Sequence, residues 1–330
     1  MKRRDVIIAG GIAATWPLVT HAQQGERTRR IGVLMGYAET DPVAQSLVAT
    51  FRDTLTKLGW MENRNLRLDL RWAAGDADKI NKFAKELVEL QPDAILGQDT
   101  PVTTVLARQT RTIPIVFAVV ADPIGTGLVA SLAHPGGNIT GFSSNDSGLG
   151  GKWVELLREI APRTRRAAVL FNPATTSLFV QSYLAPIQAA ASSFSIVVNA
   201  APVSEKNQIE SIIAEQARNP GGSLIVLPDQ SNTINRDLII ALTARYAIPA
   251  IYYNRFFVKS GGLIAYGIDF AESYRQAAGY IDRILKGAKP ADLPVQQPTK
   301  YELTINVKTA QALGLHVPAH LQQVADEVIE

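Results

Sequence analysis

The sequence contains no cysteine. Disulfides, thiolate metal sites and thiol nucleophiles are therefore excluded, and so is a lipid anchor on a cysteine side chain. Histidine is nearly as scarce. Beyond residue 22 only His134, His316 and His320 occur, and none has the spacing of a metalloprotease helix or a zinc site. His134 sits in AHPGGN and reads as a turn residue. No Gly-x-Ser-x-Gly elbow, Walker loop or paired-carboxylate signature is present, so nucleophilic and phosphoryl-transfer catalysis have no carrier. Charge of neither sign dominates: the formal net charge is +3, and the basic residues form no stripe or block of the kind that binds nucleic acid. No catalytic residue, metal or cofactor is expected, and no nucleic-acid partner.

Long apolar runs are also lacking beyond the start of the chain. The start itself, MKRRDVIIAGGIAATWPLVTHAQQ, has a basic segment (Lys2, Arg3, Arg4), an apolar stretch from Val6 to Val19, and small residues at Thr20 and Ala22. This pattern predicts a secretory signal peptide over residues 1–22, cut after Ala22. The adjacent arginines are similar to a twin-arginine signal, with the general secretory (Sec) route as the alternative. Either route places the mature chain, close to neutral in charge, in the periplasm.

The 330 residues exceed what one hydrophobic core usually serves, which predicts two domains. A repeat supports that count. RRIGVLMGY (Arg29 to Tyr37) returns as RRAAVLFNP (Arg165 to Pro173), and Ile113-Pro114 returns as Ile248-Pro249 at nearly the same displacement. Between these landmarks strand-like and helix-like segments alternate. Ile31 to Met35 is a short apolar run suited to a strand buried on both faces. Ala44, Leu47, Val48, Phe51, Leu55 and Leu58 recur at helical spacing before Gly59. NLRLDLRW alternates with the period of a strand, and Ile80, Phe83, Ala84, Leu87 and Val88 mark another helix, opened by Asp76 or Asp78. DAILG, then a helix from Pro101, then IPIVFAVV complete the first half. The second half repeats the order: AAVLF, a helix over Ser177 to Ser193, SIVVNA, a helix over Ser204 to Ala217, SLIVL, a helix over Ile234 to Tyr246, and IPAIYY. Such alternation predicts an α/β fold of two doubly wound, Rossmann-like lobes with parallel sheets.

In open sheets of this kind ligands sit beyond the carboxyl ends of the strands. Those ends carry Tyr37, Asp99 and Thr100, Asp122, Asn172, Asp229 and Ser231, Tyr252 and Asp269. Two lobes facing each other would gather these residues around one cleft. Asp269 and Asp122 are expected to hold a positive or hydroxyl group, the loops at Thr100 and Ser231 an anionic end, and Tyr37 or Tyr252 an apolar or ring portion. GTGLVA, Gly125 to Ala130, matches a loose dinucleotide pattern, but HPGG follows within two turns and a turn with a short helix is expected instead.

Several long blocks carry a family resemblance: IPIVFAVVADPIGTGLVASLAHPGGNITGF, KWVELLREIAPRTRRAAVLFNP, GGLIAYGID and YIDRILKGAKPADLPVQQPTKYELTINVKTAQALGL. They resemble the substrate-binding proteins of ABC transporters in the tryptophan/tyrosine-type group. The resemblance implies a type I periplasmic binding protein fold, two lobes joined by a three-segment hinge, with ligand trapped by hinge closure. It places crossings at GNITGF, YGID and KPADLPVQ, and hence an N-terminal lobe of 28–142 plus 267–290 and a C-terminal lobe of 143–266 plus 291–330. It implies a monomer that carries a small polar ligand to an ABC permease in the inner membrane. The chain departs from the group's Ala-Thr-Pro at Gln98-Asp99-Thr100-Pro101, which adds an acid to the pocket, and from its Asn-Ser-rich segment at Pro173-Ala174-Thr175-Thr176. A sensor feeding a membrane signalling protein, or a periplasmic enzyme on the same scaffold, are the alternative functions.

Overall fold

The computed structural model describes residues 28–144, 146, 148–176 and 179–330; the expected signal peptide, residues 1–22, lies outside them. The first strand, β1 (Arg29–Met35), is followed by α1 (Pro42–Lys57), β2 (Leu66–Trp72), α2 (Ala77–Glu89), β3 (Ala94–Gln98), α3 (Thr100–Gln109), β4 (Ile115–Val120) and β5 (Ile139–Ser143). All five strands run parallel in the order β2-β1-β3-β4-β5. Val33, Leu34 and Met35 are fully buried, as a strand covered on both faces requires. Helix α1 starts at Asp41, whose carboxylate accepts from the amides of Val43 and Ala44, and buries Ala44, Leu47, Val48, Phe51 and Leu55. Leu58 lies past its last turn and is exposed. Asp76 caps α2 in the same way.

The second half contains α4 (Gly148–Ile160), β6 (Arg166–Phe171), α5 (Pro173–Thr176), α6 (Val180–Ser193), β7 (Val197–Pro202), α7 (Lys206–Arg218), β8 (Gly222–Val226), α8 (Gln230–Ile234), α9 (Arg236–Arg245), β9 (Ala250–Tyr252), α10 (Arg255–Lys259) and β10 (Ile264–Ile268). Its strands follow the order β7-β6-β8-β9-β10, so β1 and β6, the two copies of the repeated motif, hold the same place in their sheets. The two Ile-Pro pairs are also equivalent. Pro114 accepts from the amide of Ile95 at 2.8 Å and Pro249 from that of Leu224 at 3.0 Å, each joining the third strand of its lobe to the segment entering the fourth.

After β10 the chain returns to the first lobe as α11 (Phe270–Leu285). This helix packs on α1, β4 and β5, burying Tyr274, Ala277, Ala278 and Ile281. The Trp60 indole donates to Asp282 at 2.9 Å and the Tyr274 hydroxyl donates to the Met35 sulfur at 3.5 Å. A short 3-10 turn at Pro290–Asp292 leads to the last crossing, and β11 (Tyr301–Asn306), α12 (Val307–Ala312), α13 (Ala319–Val324) and β12 (Glu327–Ile329) finish the second lobe. Here the sheet departs from the parallel pattern: β11 pairs antiparallel with β10, because the chain re-enters from the cleft end rather than through a crossover helix.

The crossings lie against one another. Ser143 donates its amide to Gln296 at 2.8 Å, Gln296 donates to Gly141 at 3.0 Å, and the Thr140 hydroxyl donates to Leu293 at 2.5 Å. The second lobe is consolidated by Trp153, stacked on Tyr183 with ring centroids 5.5 Å apart. Gly150 permits that approach of α4 to α6, since a Cβ there would lie 2.9 Å from the Tyr183 carbonyl oxygen. No helix among the described residues is long and apolar enough to cross a membrane.

Candidate functional site

The carboxyl ends of both sheets open onto one cavity of about 60 Å³ between the lobes, space on the order of four water molecules. The first lobe supplies Gly36 and Tyr37 after β1, Gln98, Asp99 and Thr100 after β3, and Val119 and Ala121 around the end of β4; the second supplies Thr175, Phe179, Asp229, Gln230, Thr233 and Tyr253; Phe270 comes from the crossing.

Each lobe builds the same device at its first and third strands. In the first, the Gly36 amide donates to the Gln98 side-chain oxygen at 2.8 Å. In the second, the Asn172 amide donates to the Asp229 carboxylate. Asp99 caps α3 through the Val102 amide at 3.0 Å and Asp229 caps α8 through the Ser231 amide at 2.7 Å. Asp229 accepts further from the Thr175 hydroxyl at 2.8 Å. Burial raises its pKa, partly offset by the amides of Asn172, Ser231 and Asn232 and by Thr175. Burial also pushes Asp99 up to about 7, against the Val102 amide and the Gln98 side chain, and the charge of Asp229 raises it further. The backbone is strained around this point: Asp99 has φ 60° and Val119 φ 61°, values costly for residues with a Cβ. Gly36 leaves room for this network: a Cβ would lie 2.6 Å from the Asp99 Oδ2 and closer still to the Gln230 side-chain amide, so both side-chain ends would have to shift.

The lobes touch, so the cleft is closed. Gln230 donates to the Asp99 Oδ2 at 2.9 Å. Outside the cavity Arg236 of α9 donates to Asp41 at the start of α1 at 2.6 Å, with both side chains about a tenth exposed. Gly75, whose φ of 75° suits a glycine, lies under the end of the Ile234 side chain. Tyr37 is hydrogen-bonded to Thr233 and Thr233 to Tyr253. Burial raises the phenols of Tyr37 and Tyr253 above their ordinary value, and Asp99 adds to the rise at Tyr37.

Of the positions singled out from the sequence, Tyr37, Asp99, Thr100 and Asp229 line this cavity. Thr100 joins α3 to the end of β4, its hydroxyl accepting from the Ala121 amide at 3.0 Å. Asn172 and Ser231 do not line it; their amides hold Asp229, and the Asn172 side chain caps α5 by accepting from Ala174 at 2.8 Å. Asp122 folds back on its own turn to accept from Gly125 at 2.8 Å, and the turns after it contain no helix, only loop. Tyr252 points away from the cleft. It is stacked on Phe257 at 4.7 Å with its hydroxyl 3.0 Å from Thr243, and its chain neighbour Tyr253 faces the cavity instead. Asp269 sits at the crossing from β10 to α11, near Arg275 (3.0 Å), Lys300 (3.4 Å) and Arg255 (3.8 Å). Burial works to raise its pKa, but these cations and the Glu272 amide outweigh it and hold the carboxyl below the ordinary range. Three cations already compensate it, which leaves it a tie between hinge segments rather than a wall of the cavity. The cavity residues absent from the sequence expectation, chiefly Gln230, Thr233, Phe179 and Phe270, sit at or within the first turn of helices, where the pattern signals only caps and core.

Comparison with known proteins follows the same lines. The family described as ABC transporter substrate binding protein matches residues 30–329. A tyrosine-binding protein of Clostridioides difficile is 25% identical over 294 residues, covering 88% of this chain and 82% of that protein. A Streptococcus pneumoniae ABC domain solved in complex with L-Trp superposes with TM-score 0.83 at 27% identity, over 92% of this chain and 100% of that one. A conserved domain protein of Vibrio cholerae gives the same score, identity and coverage. The chain belongs to the ABC transporter substrate-binding proteins, on the type I periplasmic binding fold.

Proposed function

We propose that this protein is the solute-capturing component of an ABC importer, working in the periplasm as a monomer and delivering a small amine-bearing ligand to an inner-membrane permease. The observation that carries the reading is the cavity walled by strand ends of both lobes and bridged across by Gln230 to Asp99. A ligand held by both walls stabilises the closed arrangement by its differential affinity for it, which is what a hinge-closing receptor needs. The relatives that bind tyrosine or L-Trp make amino-acid-like molecules the first class to try. Within the cavity Tyr37, Asp99, Thr100 and Asp229 are the proposed contacts, joined by Tyr253, while Asn172 and Ser231 keep Asp229 in place. The moving bodies are proposed to be 28–142 with 267–290 and 143–266 with 291–330.

A thermal-shift screen of amino acids, amines, short organic acids and nucleosides tests this. A ligand at 100 times its dissociation constant adds about 2.7 kcal/mol to the folded state, a clear rise in melting temperature. If no class moves the melt, the receptor reading is lost.

A further inference from the structure

Reading the cleft as a solute site raises the question of which charge it can accept. Among the described residues two carboxylates, one from each lobe, line the cavity, and no Lys, Arg or His does. The nearby guanidinium of Arg236 is turned to Asp41 and to the Thr233 carbonyl. The two strand-to-helix turns where an anion would ordinarily be received are filled by the protein's own acids. At α3 the Val102 amide is taken by Asp99, and Pro101 has no N–H to offer; at α8 the Ser231 amide is taken by Asp229. Two of the lining hydroxyls are turned to the protein's own acceptors: Thr175 donates to Asp229 at 2.8 Å and Thr233 to the Asp229 carbonyl at 2.8 Å.

An amino acid entering this space brings an ammonium, which the two acids match, and a carboxylate, which would be buried beside two acids with no lining cation to meet it. A ligand carrying only the cation meets no such conflict. Asp99 keeps spare acceptor capacity, having one amide and the Gln98 and Gln230 side chains as donors. The remaining wall contains Tyr37, Phe179, Tyr253 and Phe270, rings whose faces favour a cation. We infer that the cleft takes an organic amine with a compact apolar or aromatic body and no free carboxylate, rather than the parent amino acid. The inference rests on the receptor reading above.

Isothermal titration of the wild-type protein at neutral pH with matched pairs tests it: tryptamine and L-tryptophan, tyramine and L-tyrosine, isoamylamine and L-leucine, with L-tryptophanamide as the uncharged-carboxyl control. The expected result is at least tenfold tighter binding of the amine within the pair that binds best, with the amide siding with the amine. Amino acids binding as tightly as their amines, or tighter, overturn the inference and leave the receptor reading standing; silence of both series overturns the two together. The Asp99→Asn variant retains a good helix cap, so its melting temperature stays near wild type, and its amine preference is expected to fall severalfold. An unchanged preference removes Asp99 from the recognition.

Discussion

In the ligand-free protein, raising the pH from acid toward neutrality is expected to open the cleft, because over that range Asp99 is neutral in the closed form and charged in the open one. Closed, its pKa is about 7 against an ordinary 3.8. Opening withdraws Gln230 and the facing Asp229 wall and returns the carboxyl to water. Between those two values the closed form holds a proton that the open form has released, so each pH unit in that window costs the closed form up to tenfold in population. Across the whole window the shift is at most ~4 kcal/mol, about a thousandfold. Below pH about 4 both forms are protonated, and above about 7 both are ionised, so the effect levels off at each end. The Arg236 to Asp41 pair, 2.6 Å across the lobe boundary, opposes opening. Small-angle scattering of the ligand-free protein between pH 5 and pH 8.5 reads the effect as a growing radius of gyration, and Asp99→Asn should stay compact throughout. A wild-type radius that does not change with pH, or an Asp99→Asn radius that grows equally, would refute the reasoning.

Three further outcomes follow from named contacts. Asp41→Asn keeps the α1 cap but removes the cross-lobe partner of Arg236, leaving it only Asp237 at 3.6 Å on its own helix, and is expected to weaken ligand binding by about 2 kcal/mol, mainly through a faster off-rate, in stopped-flow measurements. Tyr252→Phe removes the hydroxyl contact to Thr243 and should lower stability by about 1 kcal/mol in urea unfolding with ligand affinity unchanged, whereas Tyr253→Phe should weaken affinity. Gly150→Ala forces α4 away from the Tyr183 carbonyl and should destabilise the second lobe by about 1–3 kcal/mol, seen as a lower urea midpoint.

Much of the architecture was legible because burial on both faces writes unbroken apolar runs, and β1 and β6 are such runs. The repeated Ile-Pro pairs marked equivalent strand entries for the same reason. The antiparallel β10–β11 pair was not legible, since strand direction depends on which side the chain re-enters, and YELTIN reads the same either way. β12 escaped notice because its three half-buried residues carry no period. In the site, strand ends located Tyr37, Asp99, Thr100 and Asp229, but not side-chain direction. Tyr252 and Tyr253 differ by one residue, and at a strand end one residue exchanges core for cleft. Asp122 and Asp269 looked alike in sequence to Asp99 and Asp229; only the partners, a turn amide for one and three cations for the other, separate them.

The return of α11 to the first lobe also bears on how the chain acquires its shape. Residues up to Ser143 complete the first sheet, yet the surface of α1 and the strand ends near Met35 remain uncovered until residues 270–285 have been synthesised. The second sheet up to β10 must be made in the interval. The amino-terminal lobe is thus the first to begin but must wait for most of the second sheet before it can finish, and between the emergence of α1 and that of α11 the chain carries a bare apolar face that invites a chaperone or a neighbouring copy.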